Sequence, residues 1–207
     1  EEVFLQSRSP SAIVEHVDLR SAYAREIIEK PLQYEHFKGI RDFSYGDYLI
    51  NKNFRKGFKL QEEYGLISSI AVRWEEMEKL ADLAKSFPNI IIVLDHAGNP
   101  DYRTREYYGN WKNAMSKISK MENIICKISG LGMGDHDWTK DSIAPYVDIC
   151  MELFGISRTI FATNWPVDSL YSDYAKVINS YKDLTKNLSK DEKEAFFFKN
   201  AEAIYKI

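Results

Sequence analysis

Polar side chains follow apolar, strand-like runs at four places in this sequence. Residues 90–94 are all aliphatic. Asp95 and His96 follow them directly, and Gly98 lies two residues after His96. An imidazole at a strand end can bind a metal, transfer a proton or hydrogen-bond an anionic substrate; the alternative is a structural histidine. Because parallel α/β sheets carry their sites at the carboxyl ends of strands, we predict that His96 belongs to a functional site.

A second strand-like run ends in a rigid corner. Residues 160–163 lead into Asn164, Trp165 and Pro166, and Asp168 lies two residues further on. Proline restricts the preceding residue to extended conformations, so Asn164 and Trp165 are expected on a stiff turn that suits a site. The alternative is that Asn164 only bonds a nearby backbone amide and that Trp165 lies in the core.

The two remaining strand ends each place a cation. Arg41 follows Gly-Ile, and Lys127 lies within an apolar run that leads into Ser-Gly. Arg41 could instead pair with Asp42 or Glu35, and the Lys127 ammonium could extend to water. If both side chains point into one opening, they form a pair that can bind a carboxylate.

Strand-like and helix-like segments alternate along the chain and must position these residues. The β-branched apolar runs are residues 12–19, 37–43, 66–72, 89–96, 123–129 and 159–163. Segments with apolar residues at helical spacing follow them, which predicts an α/β fold with a parallel sheet. An open doubly wound sheet and a (β/α)8 barrel both fit this pattern. Residues 130–134 have Gly-x-Gly-x-Gly spacing without the helix-opening turn of a dinucleotide site, so we predict a flexible loop there.

Composition excludes several classes of protein. The 207 residues carry a net charge of −3, without the basic excess that nucleic-acid binding requires. The longest aliphatic run is too short to cross a bilayer, so no membrane partner is expected. No Gly-x-Ser-x-Gly or Gly-Lys-Ser/Thr motif occurs, which disfavours a serine hydrolase or an NTPase. Cys126 and Cys150 lie in apolar segments and are predicted to be buried free thiols, which favours the cytoplasm.

Seven segments, in this order, resemble a known family. They are VDLRS (17–21), FKGIRD (37–42), FPNIIIVLDHAGNP (87–100), NIICKISGL (123–131), ELFG (152–155), IFATNWPVD (160–168) and NAEAIYKI (200–207). Together they resemble the amidohydrolase-related, metal-dependent hydrolases, the group of fuconolactonase-like and 2-pyrone-4,6-dicarboxylate lactonase-like enzymes. The resemblance implies a (β/α)8 TIM barrel that hydrolyses a lactone, or a similar ester, of a sugar acid or dicarboxylate.

The resemblance also implies roles for individual residues. His96 would be a metal ligand or a group that polarises the substrate, and Arg41 would hold an anion, with Lys127 and Trp165 as further substrate-binding residues. Where the family usually has an Asp that activates water, this chain has Asn164. An amide is not a useful base, and losing proton abstraction costs about 10²- to 10⁴-fold in rate. Asp168 is the hypothesised replacement carboxylate.

A second departure concerns the start of the family's barrel, which opens with a His-x-His strand. That motif is absent here, and residues 1–9 resemble the helix that precedes the third strand. We therefore expect one domain over residues 1–207 that lacks the first two βα units. Such a domain would have two open sheet edges and an apolar barrel wall facing water, unless a partner or a rearrangement covers it.

Several functional alternatives stay open at this point. The expected cofactor is a divalent metal, zinc or manganese, although His96 alone falls short of three protein ligands and metal-free catalysis is the alternative. Lactone hydrolysis is the first hypothesis. The others are a metal-dependent decarboxylase of the same superfamily and a catalytically impaired homologue that acts as a binding or scaffold module. The expected partner is a small molecule, an anionic or sugar-acid lactone, and assembly into a homo-oligomer is left open.

Overall fold

Six parallel strands form one sheet in the order in which they occur along the chain. The computed structural model describes residues 9–44 and 46–207, so the helix expected over residues 1–9 lies almost wholly outside the described residues. The strands are β1 (Ile13–His16), β2 (Phe37–Arg41), β3 (Ile67–Ile70), β4 (Ile92–Leu94), β5 (Ile124–Ile128) and β6 (Thr159–Phe161). The prediction of six parallel strands in an α/β fold is confirmed.

Helices connect successive strands and supply the crossovers that parallel pairing needs. They are α1 (Ala24–Glu29), α2 (Lys52–Phe58), α3 (Leu60–Glu63), α4 (Met77–Ser86), α5 (Arg105–Ile118), α6 (Lys140–Phe154), α7 (Tyr174–Leu184), α8 (Lys190–Glu194) and α9 (Asn200–Tyr205). Ser189 caps α8 and forms a capping box with Glu192, as its Ser-x-x-Glu sequence predicts. No described helix has both the length and the apolar character needed to cross a membrane.

The sheet is apolar on both faces, which is typical of parallel sheets. One face packs against the helices in a large core that includes the two free cysteines, Cys126 and Cys150, both buried as predicted. The other face presents one isoleucine or valine from each of four strands: Ile67, Val93, Ile125 and Ile160.

The last helix covers the second face. Ile204 of α9 packs against the four strand residues, together with the partly buried Ala201 and Tyr205. The apolar barrel wall expected to face water is therefore covered in part by the chain's own last helix. Among the described residues, β1 and β6 each have one edge without a strand partner.

Two local predictions need correction. The strand predicted to reach His96 ends at Leu94, because the backbone turns into left-handed conformations at His96. The Gly-x-Gly-x-Gly run is a 3-10 turn (Leu131–Gly134) instead of a flexible loop, and its first two residues are buried.

Candidate functional site

A buried carboxylate, Asp95, connects four strands at their carboxyl ends. Its side chain is fully buried, and one oxygen lies 2.6 Å from the Lys127 ammonium while the other lies 3.3 Å from Nε of Arg41. The Ser69 hydroxyl lies 2.8 and 2.9 Å from the two carboxylate oxygens. Arg41, Ser69 and Lys127 belong to β2, β3 and β5, and Asp95 follows β4. The site is thus built by parallel strands that end at the same edge of the sheet.

Two nearby cations decide the charge of Asp95. Burial alone would raise its pKa, but the charges of Lys127 and Arg41 outweigh burial and hold the pKa below its usual value. Arg41 and Lys127 therefore do converge, and the carboxylate between them is the protein's own. Both side chains remain partly exposed, so their remaining N–H groups can reach a ligand. Sequence reasoning assigned no role to Asp95 or Ser69, although Asp95 precedes the predicted His96.

His96 lies next to this cluster with its imidazole almost completely buried. Its backbone is left-handed, with φ of 53°, and Nδ1 is 3.0 Å from the hydroxyl of Ser129. Burial lowers the pKa of His96 to about 4, and the charges of Lys127 and Arg41 act in the same direction against that of Asp95. The imidazole is therefore neutral at pH 7. Such a ring has one N–H donor and one acceptor nitrogen.

Gly130 brings His96 and Asn164 side by side. A Cβ on Gly130 would lie 2.8 Å from Nδ1 of His96 and 3.1 Å from the amide nitrogen of Asn164. The backbone of Gly130 is also left-handed, with φ of 63°. Both conditions require glycine, so its position in the Ser-Gly pair after β5 was the sequence signal for this close approach.

Asn164 and Asp168 form a hydrogen-bonded pair after β6. The amide of Asn164 donates to Oδ1 of Asp168 at 2.9 Å, and Asn164 has a positive φ of 56°. Asp168 is buried, and burial raises its pKa although the Asn164 hydrogen bond opposes this. Trp165 is 41% exposed and packs edge-on against Tyr174, so the alternative that placed it in the core is wrong.

A cavity of about 700 Å³ opens beside Arg41. Aromatic and aliphatic groups line part of it, among them Phe43, Tyr48 and Met133. Met133 also approaches Gly130, whereas His96, Asn164 and Asp168 are not among the residues that line the cavity. Its volume lies in the range of pockets that hold small molecules.

The described residues do not fit a metal site. No group of three or more His, Cys, Asp or Glu side chains among them is arranged to hold a metal ion. His96 uses Nδ1 for Ser129, and both oxygens of Asp95 are already engaged. One imidazole nitrogen is fewer than the three protein ligands of a catalytic zinc. No chemical step is therefore assigned to a metal on these residues.

The sequence profile of the amidohydrolase family matches residues 21–207, and the chain belongs to that family. The protein y4mH of Sinorhizobium fredii is 33% identical over 96% of this chain and 70% of its own length. An L-fucono-1,5-lactonase of Burkholderia ambifaria is 29% identical over 79% of this chain. The match covers 59% of that lactonase, less than two thirds of its length.

Solved structures share the fold at low sequence identity. A zinc-bound amidohydrolase of Burkholderia multivorans has a TM-score of 0.91 and 21% identity, over 100% of this chain and 77% of its own. A Pseudomonas putida protein described as a 2-pyrone-4,6-dicarboxylic acid hydrolase has a TM-score of 0.76, 16% identity and the same coverage. A manganese-bound 5-carboxyvanillate decarboxylase of Novosphingobium aromaticivorans has a TM-score of 0.72 and 17% identity. That match covers 100% of this chain and 68% of the decarboxylase. These likenesses show the TIM-barrel-like fold.

Proposed function

We propose that this chain carries the site of a lactonase, a hydrolase that opens a cyclic ester. The observation that carries the proposal is the meeting of a neutral His96 with the Asn164–Asp168 pair at Gly130, beside a cavity that Arg41 borders. A hydrogen-bond donor for the ester carbonyl and a carboxylate for the attacking water are the two groups that ester hydrolysis needs. The L-fucono-1,5-lactonase relative supports the same reaction class.

In the proposed mechanism His96 polarises the ester carbonyl. If the Ser129 hydroxyl donates to Nδ1, the proton of the neutral ring lies on Nε2, from which it donates to the carbonyl oxygen. That donor is worth most in the transition state, when negative charge develops on this oxygen. Lys127 and Arg41 add positive electrostatic potential near His96. Trp165 follows Asn164 in the chain, and its exposed ring is the proposed contact for the substrate.

Asp168 acts as the base in this proposal. Oδ1 accepts from Asn164, which leaves Oδ2 to take a proton from water as the water oxygen bonds to the carbonyl carbon. The ring C–O bond then breaks, and the proton passes to the departing alkoxide, giving a hydroxy acid. Asn164 orients the carboxylate and supplies no base of its own.

The charges around the cavity favour an uncharged, hydroxyl-rich lactone over a dicarboxylate. Its lining includes four carboxylates and two guanidinium groups: Asp42, Glu75, Glu76 and Asp101 with Arg41 and Arg73. Both arginines already have carboxylate partners, Asp95 and Asp101. A substrate with two carboxylates would meet repulsion there, whereas sugar hydroxyls can donate to these acids.

A binding or scaffold module is the second candidate, and the amide at position 164 favours it. A lactone-hydrolysis screen separates the two, with sugar lactones and a pyrone dicarboxylate as substrates. The screen uses the parent protein, Asn164→Asp and His96→Ala, each with and without added Zn²⁺ or Mn²⁺. We expect turnover of a sugar lactone by the parent without added metal, and a loss of about 10²-fold or more in His96→Ala.

The matched control is His136→Ala, since the described ring contact of His136 is with Tyr171 and none of its described hydrogen bonds involves Asp95, His96 or Asp168. It should keep its kcat within about twofold of the parent value. No turnover in the parent with recovery in Asn164→Asp would contradict Asp168 as the base. Unchanged activity in His96→Ala would show that the site lies elsewhere, and turnover only of an aromatic carboxylate with release of CO₂ would indicate the decarboxylase.

A further inference from the structure

The backbone that carries His96 is a left-handed turn of four residues. The φ angles of His96, Ala97, Gly98 and Asn99 are 53°, 51°, 69° and 46°. Left-handed backbone is unfavourable for residues with a Cβ, so three of these four residues pay a conformational cost. Consecutive left-handed residues of this kind persist only where the surroundings hold them, and they concentrate at functional sites.

Helix α5 holds this turn through two aromatic side chains. The buried indole N–H of Trp111 donates to the Ala97 carbonyl at 2.8 Å, and the Tyr107 hydroxyl donates to the Asn99 carbonyl at 3.1 Å. The two aromatic residues are four positions apart, so they lie on the same face of α5. Neither of them contacts the cluster around Asp95 in any described hydrogen bond.

The other side of the turn is packed closely. A Cβ on Gly98 would lie 2.2 Å from the terminal methyl of Met77 in α4, so the turn is seated against that helix as well. The backbone N–H of Asn99 closes the turn by donating to the His96 carbonyl at 2.9 Å. The direction of the His96 side chain toward Ser129 therefore depends on a backbone shape that local sequence does not favour.

We propose that Trp111 is a positioning residue that fixes the imidazole of His96 through this left-handed turn. The expected effect on kcat rests on the proposed function, whereas the expected effect on the turn and on the His96 ring does not. Without the indole donor, the Ala97 carbonyl is buried and unpaired, and the turn gains by rearranging toward right-handed conformations. His96 then leaves its hydrogen bond with Ser129.

The test compares Trp111→Phe with Trp138→Phe. Both replacements remove a buried indole, but within the described structure Nε1 of Trp138 has no hydrogen-bond partner, so the control loses ring volume without losing a bond. Amide hydrogen exchange at Asn99 and the ¹⁵N signals of the His96 ring report the turn independently of activity. We expect exchange at Asn99 to become about tenfold faster, and the ring signals to move, only in Trp111→Phe.

The kinetic arm tests the same idea through the reaction. In Trp111→Phe we expect kcat to fall about tenfold with KM nearly unchanged, because a displaced catalytic group costs rate more than binding. Trp138→Phe should stay within about twofold of the parent. If the parent turns over no lactone, the proposed function fails, and the exchange and ring signals still decide the positioning.

Equal changes in the two variants, or no change at Asn99 and His96 in either, would overturn the proposal. So would faster exchange at β5 amides to the same degree as at Asn99, since that indicates general destabilisation. If Trp111→Phe does not fold, Tyr107→Phe carries the test, because it removes only the hydroxyl donor to the Asn99 carbonyl. It should show the same two changes with smaller amplitude.

Discussion

Two buried carboxylates, one after β4 and the other after β6, have opposite surroundings. Asp95, after β4, lies between the cations Lys127 and Arg41, and its pKa is held below the usual value. Asp168, after β6, has only the Asn164 amide as its side-chain hydrogen-bond partner in the described structure, and burial raises its pKa. A carboxylate that two cations neutralise stabilises the sheet edge, whereas one without a cation is free to exchange a proton. We therefore propose a structural role for Asp95 and a role in the reaction for Asp168.

The largest expected effect follows from Asp168→Asn. Removing the proposed base should lower kcat by about 10²- to 10⁴-fold. The free energy of unfolding at pH 7 should stay the same or rise, because the ionised buried carboxylate lacks a compensating cation. Lactone kinetics and urea denaturation measure the two quantities. Asp173→Asn is the control, since Asn caps a helix as well as the Asp that caps α7. A kcat equal to that of the control would remove Asp168 from the reaction.

Asp95→Asn should lower the free energy of unfolding strongly, in contrast to Asp168→Asn. It leaves Lys127 and Arg41 together without their anion, and breaking a buried ion pair costs about 3–5 kcal/mol. We expect the lower end of that range, because both cations are partly exposed. Urea denaturation should show the loss, and Asp82→Asn, which breaks an exposed pair with Arg55, should cost no more than about 1 kcal/mol. Equal losses in the two variants would contradict the structural role of Asp95.

Gly130→Ala tests the place where the two regions meet. The left-handed backbone alone should cost about 1–3 kcal/mol in the free energy of unfolding. The added methyl also displaces the His96 imidazole and the Asn164 amide, so activity should fall too. Gly65→Ala has the same φ of 63°, and its Cβ meets only the end of a lysine at 3.9 Å. It should lose similar stability and keep its activity; a matching activity loss would argue against crowding at Gly130.

The smallest expected effects are in the pH dependence of stability and activity, which should differ between Asp95 and Asp168. Because the folded pKa of Asp168 is raised, its contribution to stability falls as pH rises from the ordinary carboxyl range through that raised pKa. Activity should rise over the same window as the base ionises. The folded pKa of Asp95 is lowered, so its stabilisation is lost only as pH falls below the ordinary range. Urea titrations of the parent and Asp168→Asn at several pH values measure this, and identical curves would contradict the assignment.

The sequence was informative wherever the signal was local. β-branched runs separated by amphipathic helices predicted six parallel strands, and parallel pairing put their ends at one edge. That was enough to place Arg41, His96 and Lys127 at strand ends, but whether Arg41 and Lys127 point into one opening stayed open. Strand ends were less certain, because Asp95 and His96 continue an extended-looking pattern although the backbone turns at that point.

What the sequence by itself determined was the order of elements and the edge at which chemistry would gather. Only the tertiary structure decided which partner each charged group takes, because Asp95 reaches Arg41, Ser69 and Lys127 through the register of four strands. Hydrophobic periodicity indicates which face of a strand is buried, but it does not specify which residues of neighbouring strands lie side by side. The left-handed turn of His96 is likewise imposed by Trp111 and Tyr107 of a later helix, and the contacts that hold it are made only when α5 packs against the sheet.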